Sequence, residues 1–153
     1  GEDSLTAPVD DADVLYISGG DPSYLLNVLQ GSQLLERLLA AHERGAVLAG
    51  SSAGAMILGS WMRFRQWAAT LGVARGVAVL PHHERSDPES VAEQLREGMP
   101  AETAVLGVDA MSGCLGGPVR WTVHGGGAVT VYRTDGWQRY SAGESFVLDA
   151  GEA

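Results

Sequence analysis

The sequence predicts an α/β protein: a three-layer parallel sheet with helices on both faces, followed by antiparallel hairpins. Three observations carry this. Short apolar runs of strand length alternate with segments at helical spacing through roughly the first two thirds of the chain. The last third breaks into β-type runs separated by glycine turns. Between them, the stretch GAVLAGSSAGAMILG, Gly45 to Gly59, passes from strand to helix through a turn of small residues.

Residues 1–13 are polar and acidic and read as a loose lead-in. Val14 to Ile17 read as a buried strand, broken by Ser18-Gly19-Gly20-Asp21-Pro22. Tyr24, Leu25, Val28 and Leu29 lie at helical spacing and predict a helix up to Gly31. Ser32 is the N-cap of a second helix, with Leu34, Leu35, Leu38 and Leu39 as its apolar stripe and Gly45 at its C′ position. Ala46 to Ala49 form the next strand. After the turn, Ala55 to Leu58 begin a helix expected to reach Gly72. It would carry Trp61, Met62, Phe64 and Trp67, with Arg63 and Arg65 between them, and pack on the sheet.

Val77 to Leu80 read as a strand that runs into Pro81-His82-His83-Glu84-Arg85. Asp87 and Pro88 form an N-cap and N1 pair, and Val91, Ala92 and Leu95 continue a short helix ending near Gly98. The later β-type runs are 103–108, 119–123, 128–132 and 145–148. Gly116-Gly117-Pro118, Gly125-Gly126-Gly127, Asp135-Gly136 and Ala142-Gly143 turn the chain between them. No repeat, linker or low-complexity segment divides the chain, so 1–153 is expected to be one domain.

Composition narrows the chemistry. A net charge of −9 argues against nucleic acid or an anionic membrane surface as partner. No apolar run approaches a membrane span, and Gly1 opens a polar segment unlike a secretory leader. The absence of an initiator Met points to a processed or shortened chain. All basic residues are arginine, which excludes a lysine nucleophile, a Schiff base and a Walker A loop. Cys114 is the only cysteine, so no internal disulfide forms, which fits a reducing cytoplasm. The four histidines lack the spacing of a zinc site, and no metal or cofactor is expected.

The reactive candidates converge. Gly50-Ser51-Ser52-Ala53-Gly54, between strand and helix, has the context of a G-x-S-x-G nucleophile elbow, with Ser52 exposed above the sheet. The amides opening the helix can bind an oxyanion beside it. Ligands of parallel α/β sheets bind beyond the carboxyl ends of the strands. Gly19-Gly20-Asp21, Ser52 and His82-His83 all fall at such ends.

These residues resemble a known family. ISGGDPSYLLNVL, RGAVLAGSSAGAMILG, VLPHHER, VLGVDAMSG and VHGGGAVTVY are similar to segments of the S51 serine peptidases, which include dipeptidase E and cyanophycinase. The resemblance covers most of residues 13–132. It implies a fold like that of class I glutamine amidotransferases, with serine as nucleophile. It assigns Ser52 as nucleophile and His82 as general base, with His83 in the place of the family's aromatic. Gly19, Gly20 and the Ala53 amide would form the oxyanion hole. Asp21, His83 and Arg85 are the substrate-binding candidates. Arg85, Arg63 or Arg65 could hold a substrate carboxylate through a bidentate pair.

The chain departs from the family in two ways. The family orients its histidine with an acid lying between serine and histidine, yet Ala53 through His83 contains no carboxylate. Glu84 and Asp109 are the remaining candidates for that third member. The strand and helix units that precede Val14 in the family are also missing. The sheet should then have an open edge, covered by a homodimer or by a separate N-terminal fragment. The expected function is hydrolysis of short acidic peptides through an acyl-enzyme on Ser52. The alternative is a catalytically impaired relative serving as a binding or assembly module. A general α/β-hydrolase esterase fits less well, because that fold places its histidine last.

Overall fold

The computed structural model describes residues 2–149. The chain opens with α1 (Glu2–Thr6) and a 3-10 turn, Ala7–Val9. It continues through β1 (Val14–Ile17), α2 (Pro22–Leu29), α3 (Gln33–Glu43), β2 (Val47–Gly50) and α4 (Ala53–Leu58). The lead-in is therefore helical rather than loose. Asp10 ties it down: its carboxylate meets Arg37 of α3 at 2.5 Å, and its carbonyl accepts from Arg44 at 2.8 Å.

Both caps read from the sequence form. The Ser32 hydroxyl accepts from the Leu35 amide at 3.1 Å, opening α3. Asp87 does the same for the Ser90 amide at 2.9 Å, opening α5 (Pro88–Leu95). Each supplies an acceptor to an amide that the first helical turn leaves unpaired, worth roughly 1 kcal/mol.

The helix expected to reach Gly72 stops at Leu58. The chain instead forms an antiparallel hairpin, β3 (Trp61–Phe64) with β4 (Gln66–Ala69), turning at Arg65 with φ 68°. The cause lies outside the segment. The Ser60 amide donates to the Val77 carbonyl of β5 (Val77–Leu80) at 2.8 Å. Gly59 lies so close to β5 that a Cβ there would stand 2.4 Å from that carbonyl oxygen. The aromatic residues Trp61, Phe64 and Trp67 imitate a helical spacing, but they also suit a half-buried strand surface.

The second half holds β6 (Ala104–Val108), β7 (Ser112–Gly116), β8 (Arg120–Gly125), β9 (Ala128–Arg133), β10 (Gly136–Ser141) and β11 (Ser145–Val147). β7 and β10 have no clear sequence signal. β7 carries a glycine at its second and last positions, and β10 is an almost wholly exposed edge with no apolar alternation.

The fold is α/β with mixed sheets, not one continuous parallel sheet. β1 and β2 pair in parallel, with Val14 opposite Val47, and among the described residues no other strand joins them. β5 and β6 also pair in parallel, but β6 continues antiparallel into β9 and β10, giving the order β10-β9-β6-β5. β11-β8-β7 form a third sheet and the β3–β4 hairpin a fourth. Short glycine turns close antiparallel neighbours, so the later strands return beside each other instead of crossing over.

Three apolar clusters follow. One joins Leu26, Leu29, Leu38, Met56, Ile57 and Met62 around β1 and β2. A second joins Val77, Leu106, Val129 and Val131 to Val123 and Phe146 of the three-stranded sheet. The third packs Leu95 of α5 on Ala78, Val105 and Tyr132, on the other face of the four-stranded sheet.

Candidate active site

Ser52 has φ 50° and ψ −118°, a backbone conformation that β-carbon-bearing residues rarely adopt. It lies between the end of β2 and the first turn of α4, as a nucleophile elbow demands. The turn is tight enough to require glycine on both sides. A Cβ on Gly50 would stand 2.6 Å from the Gly54 carbonyl carbon, and one on Gly54 would stand 2.0 Å from the Ile17 carbonyl oxygen. The strained serine conformation costs on the order of 1–3 kcal/mol and is held by this packing.

Gly19 faces the serine. A Cβ there would sit 3.3 Å from Ser52 Cβ and 3.6 Å from its Oγ. Gly20, with φ 144°, and Ala53 line a pocket of about 280 Å³ together with Ser52. The three expected oxyanion-hole residues are thus gathered around one hydroxyl. Arg63 of β3 lines the same pocket, as do Met56, Phe64 and Leu80. Its guanidinium makes no hydrogen bond or ion pair among the described residues. The residues Trp61 to Trp67 read as a helix packed on the sheet, and only the hairpin brings Arg63 beside Ser52. Arg65 turns away, with its guanidinium 5.8 Å from the Phe64 ring centroid.

Ser52 also borders a larger cavity of about 970 Å³, and His82 lies on its wall. His82 is exposed, with φ 56°, near the start of the loop leaving β5. Neither its ring nor the Ser52 hydroxyl makes a hydrogen bond among the described residues.

The adjacent histidine behaves differently. His83 is 2% exposed, and its Nε2 lies 2.6 Å from the Tyr132 hydroxyl. A Cβ on Gly107 would fall 2.4 Å from its ring, so β6 has room for the imidazole only because residue 107 is glycine. Burial lowers the His83 pKa, an effect partly opposed by the nearby Asp109 carboxylate. Burial also raises the Tyr132 pKa, to about 12, so its hydroxyl stays protonated. The expectation that His83 touches substrate does not match this placement, because its ring is enclosed by β6 and β9.

The other candidates divide. The Asp21 carboxylate caps α2, accepting from the Tyr24 amide at 2.8 Å. Arg85 is exposed and lines neither pocket. Glu84 accepts from the Ala110 amide at 2.9 Å, and that bond lowers its pKa. Asp109 is buried on the wall of the larger cavity. Its Oδ2 accepts from Arg139 at 2.6 Å and from the Ala128 amide at 3.0 Å, while Oδ1 has no partner among the described residues. These bonds brace the turn between β6 and β7, and the His82 ring takes part in none of them. Among the described residues no cluster of metal-ligating side chains exists, and no helix is long and apolar enough to cross a membrane.

The profile of peptidase family S51 matches residues 2–110. A crystal structure of a peptidase from an acI-B1 actinobacterium is similar at 30% identity and a TM-score of 0.80. The alignment covers 94% of this chain but only 63% of that one. A protein assigned as peptidase E from Listeria monocytogenes EGD-e shares the fold, at 14% identity and a TM-score of 0.55, over 92% of this chain and 65% of its own. No curated protein matches the chain.

Proposed function

Because the chain belongs to peptidase family S51, we propose that it is a serine-type peptidase that cleaves short acidic peptides through an acyl-enzyme on Ser52. The observation that carries this reading is the Ser52 backbone, held at φ 50° between β2 and α4 against Gly19. Such strain persists only where surrounding structure enforces it, and here the residue that carries it lines both pockets.

In the proposed reaction the scissile carbonyl carbon sits over Ser52 Oγ. His82 takes the hydroxyl proton as Oγ attacks, and the carbonyl oxygen gains negative charge. The amides of Gly20 and Ala53 stabilise that charge, with the N-terminal end of α4 beneath it. His82 then returns the proton to the leaving amine, and water releases the acyl group by the reverse transfers. Arg63 supports the preference for acidic peptides, since its unpaired guanidinium shares the smaller pocket with Ser52.

A second reading has its own support. No carboxylate bonds the His82 ring among the described residues. An imidazole without an orienting acid loses rate, by about 10⁴ in the best-measured triad. The enzyme reading therefore predicts slow turnover, and a binding module predicts none. A fluorophosphonate probe separates them. Labelling of Ser52 that vanishes in Ser52→Ala supports the peptidase. A folded protein that resists the probe supports the binding module.

A further inference from the structure

We propose that Glu84 is a positioning residue for His82, acting by clasping the loop after β5 to the turn between β6 and β7. The catalytic consequence of the clasp rests on the peptidase reading; the clasp itself rests on the backbone.

Three residues other than glycine that line the larger cavity have φ in the left-handed region: Ser52 at 50°, His82 at 56° and Met111 at 58°. A side chain disfavours that region, so the conformation persists only where neighbouring contacts impose it. At Ser52 the glycines of the elbow impose it. The His82 ring contributes nothing to its own placement, since it makes no hydrogen bond among the described residues.

The residues beside His82 are held instead. Leu80 pairs with Gly107 across β5 and β6. The His83 amide donates to the Val108 carbonyl at 3.1 Å, and the His83 ring fills the notch at Gly107 against Tyr132. The Ser86 amide donates to the His83 carbonyl at 3.0 Å and closes the turn. Glu84 adds a bond that crosses to the next turn, its carboxylate accepting from the Ala110 amide at 2.9 Å.

The receiving turn is itself fixed. The Met111 carbonyl accepts from the Gly126 amide at 3.0 Å, and the Gly127 amide donates to the Ser112 hydroxyl at 2.7 Å. A Cβ on Gly125 would stand 2.2 Å from the Met111 carbonyl oxygen, so the two turns pack backbone on backbone. Ala110 therefore offers Glu84 a donor that does not drift. Glu84 is exposed and lines neither pocket, so it acts on the site only through the backbone that leads to His82.

Such a clasp does part of the work of a triad acid. It fixes where the His82 Cα and Cβ stand, and leaves ring rotation and tautomer free. Position alone matters, because a misplacement of about 1 Å can cost on the order of 10²-fold in rate. The working atom of Glu84 is an acceptor oxygen, which a glutamine amide also supplies. A triad acid tolerates no such exchange.

The experiment compares Glu84→Ala and Glu84→Gln with the unaltered chain. Fluorophosphonate acylation of Ser52 is followed to saturation, with amide exchange at Ala110, NMR relaxation at the His82 Cε1 and the melting temperature. In Glu84→Ala the Ala110 amide should exchange faster and the His82 ring should become more mobile. The limiting acylation rate per folded molecule should fall roughly ten- to a hundredfold, with the half-saturating probe concentration nearly unchanged. Glu84→Gln should match the unaltered chain in every measurement. A rate per folded molecule unchanged in Glu84→Ala, with only the melting temperature lowered, overturns the proposal. So does a Glu84→Gln variant as slow as Glu84→Ala, which would make the charge the working part and return Glu84 to the triad. An unaltered chain that is not labelled at Ser52 refutes the peptidase reading instead. The clasp is then decided by the His82 ring, and equal mobility in Glu84→Ala and the unaltered chain overturns it.

Discussion

His83 Nε2 and the Tyr132 hydroxyl meet at 2.6 Å inside the protein, with their rings edge-on at 79° and 5.5 Å between centroids. The contact joins the β5 loop to β9 across β6. It makes His83 a structural imidazole and leaves its neighbour His82 as the one that reaches the cavity.

This pair makes stability depend on pH. The folded state holds His83 neutral, with its pKa lowered by burial, whereas in the unfolded chain the imidazole takes a proton near the usual pH of about 6.5. Between those values the unfolded state binds the extra proton, so stability is full above about pH 6.5 and declines as pH falls toward the folded pKa. The melting temperature should fall between pH 7.5 and 5.5. In His83→Gln that part of the slope should disappear, leaving only the carboxylate contribution at lower pH.

Arg63 should set substrate preference. Loss of a charged hydrogen-bond partner costs about 1.5–3 kcal/mol, or roughly ten- to a hundredfold. Arg63→Gln is expected to lower kcat/KM for aspartyl dipeptides by that factor and to leave uncharged dipeptides nearly unchanged. Arg85→Gln, outside both pockets, should alter neither. Steady-state assays on paired acidic and neutral substrates check this.

Asp109 should be a brace, not the missing triad acid. In Asp109→Asn the ion pair with Arg139 is lost and the Ala128 contact weakened. A melting temperature several degrees lower is expected, with the rate of fluorophosphonate labelling per folded molecule reduced less than tenfold. A drop of a thousandfold or more in a folded protein would return Asp109 to the catalytic group.

The elbow should not tolerate a methyl group at Gly54. A Cβ there would stand 2.0 Å from the Ile17 carbonyl oxygen and 2.9 Å from that of Ser18, backbone that cannot move without separating β1 from α4. Gly54→Ala should cost about 3 kcal/mol or more, at the upper end for overpacking. Gly126→Ala is the control, since nothing lies within 4 Å of its Cβ position. Chemical denaturation of the two variants measures the difference.

Much of the site could be read from the residues because it is local. An elbow needs a strand, a few small residues and a helix in immediate succession, and Val47 to Leu58 contains all three. The caps at Ser32 and Asp87 are equally local, with acceptor and amide three residues apart. Membership of a peptidase family was visible in the same short segments.

The rest depends on partners far away in the chain. The sequence alone determined a strained serine at a strand end with two histidines at another, and left open which histidine does what. Burial under Gly107 and Tyr132 decided that, because exposure depends on strands 24 and 49 residues away. Trp61 to Trp67 satisfy helix and hairpin spacing alike, and contact with Val77 chose the hairpin, carrying Arg63 to Ser52. The edge of β2 is likewise a tertiary fact: a strand's own residues state that it will pair, but only the assembled sheets show which side has been left without a neighbour.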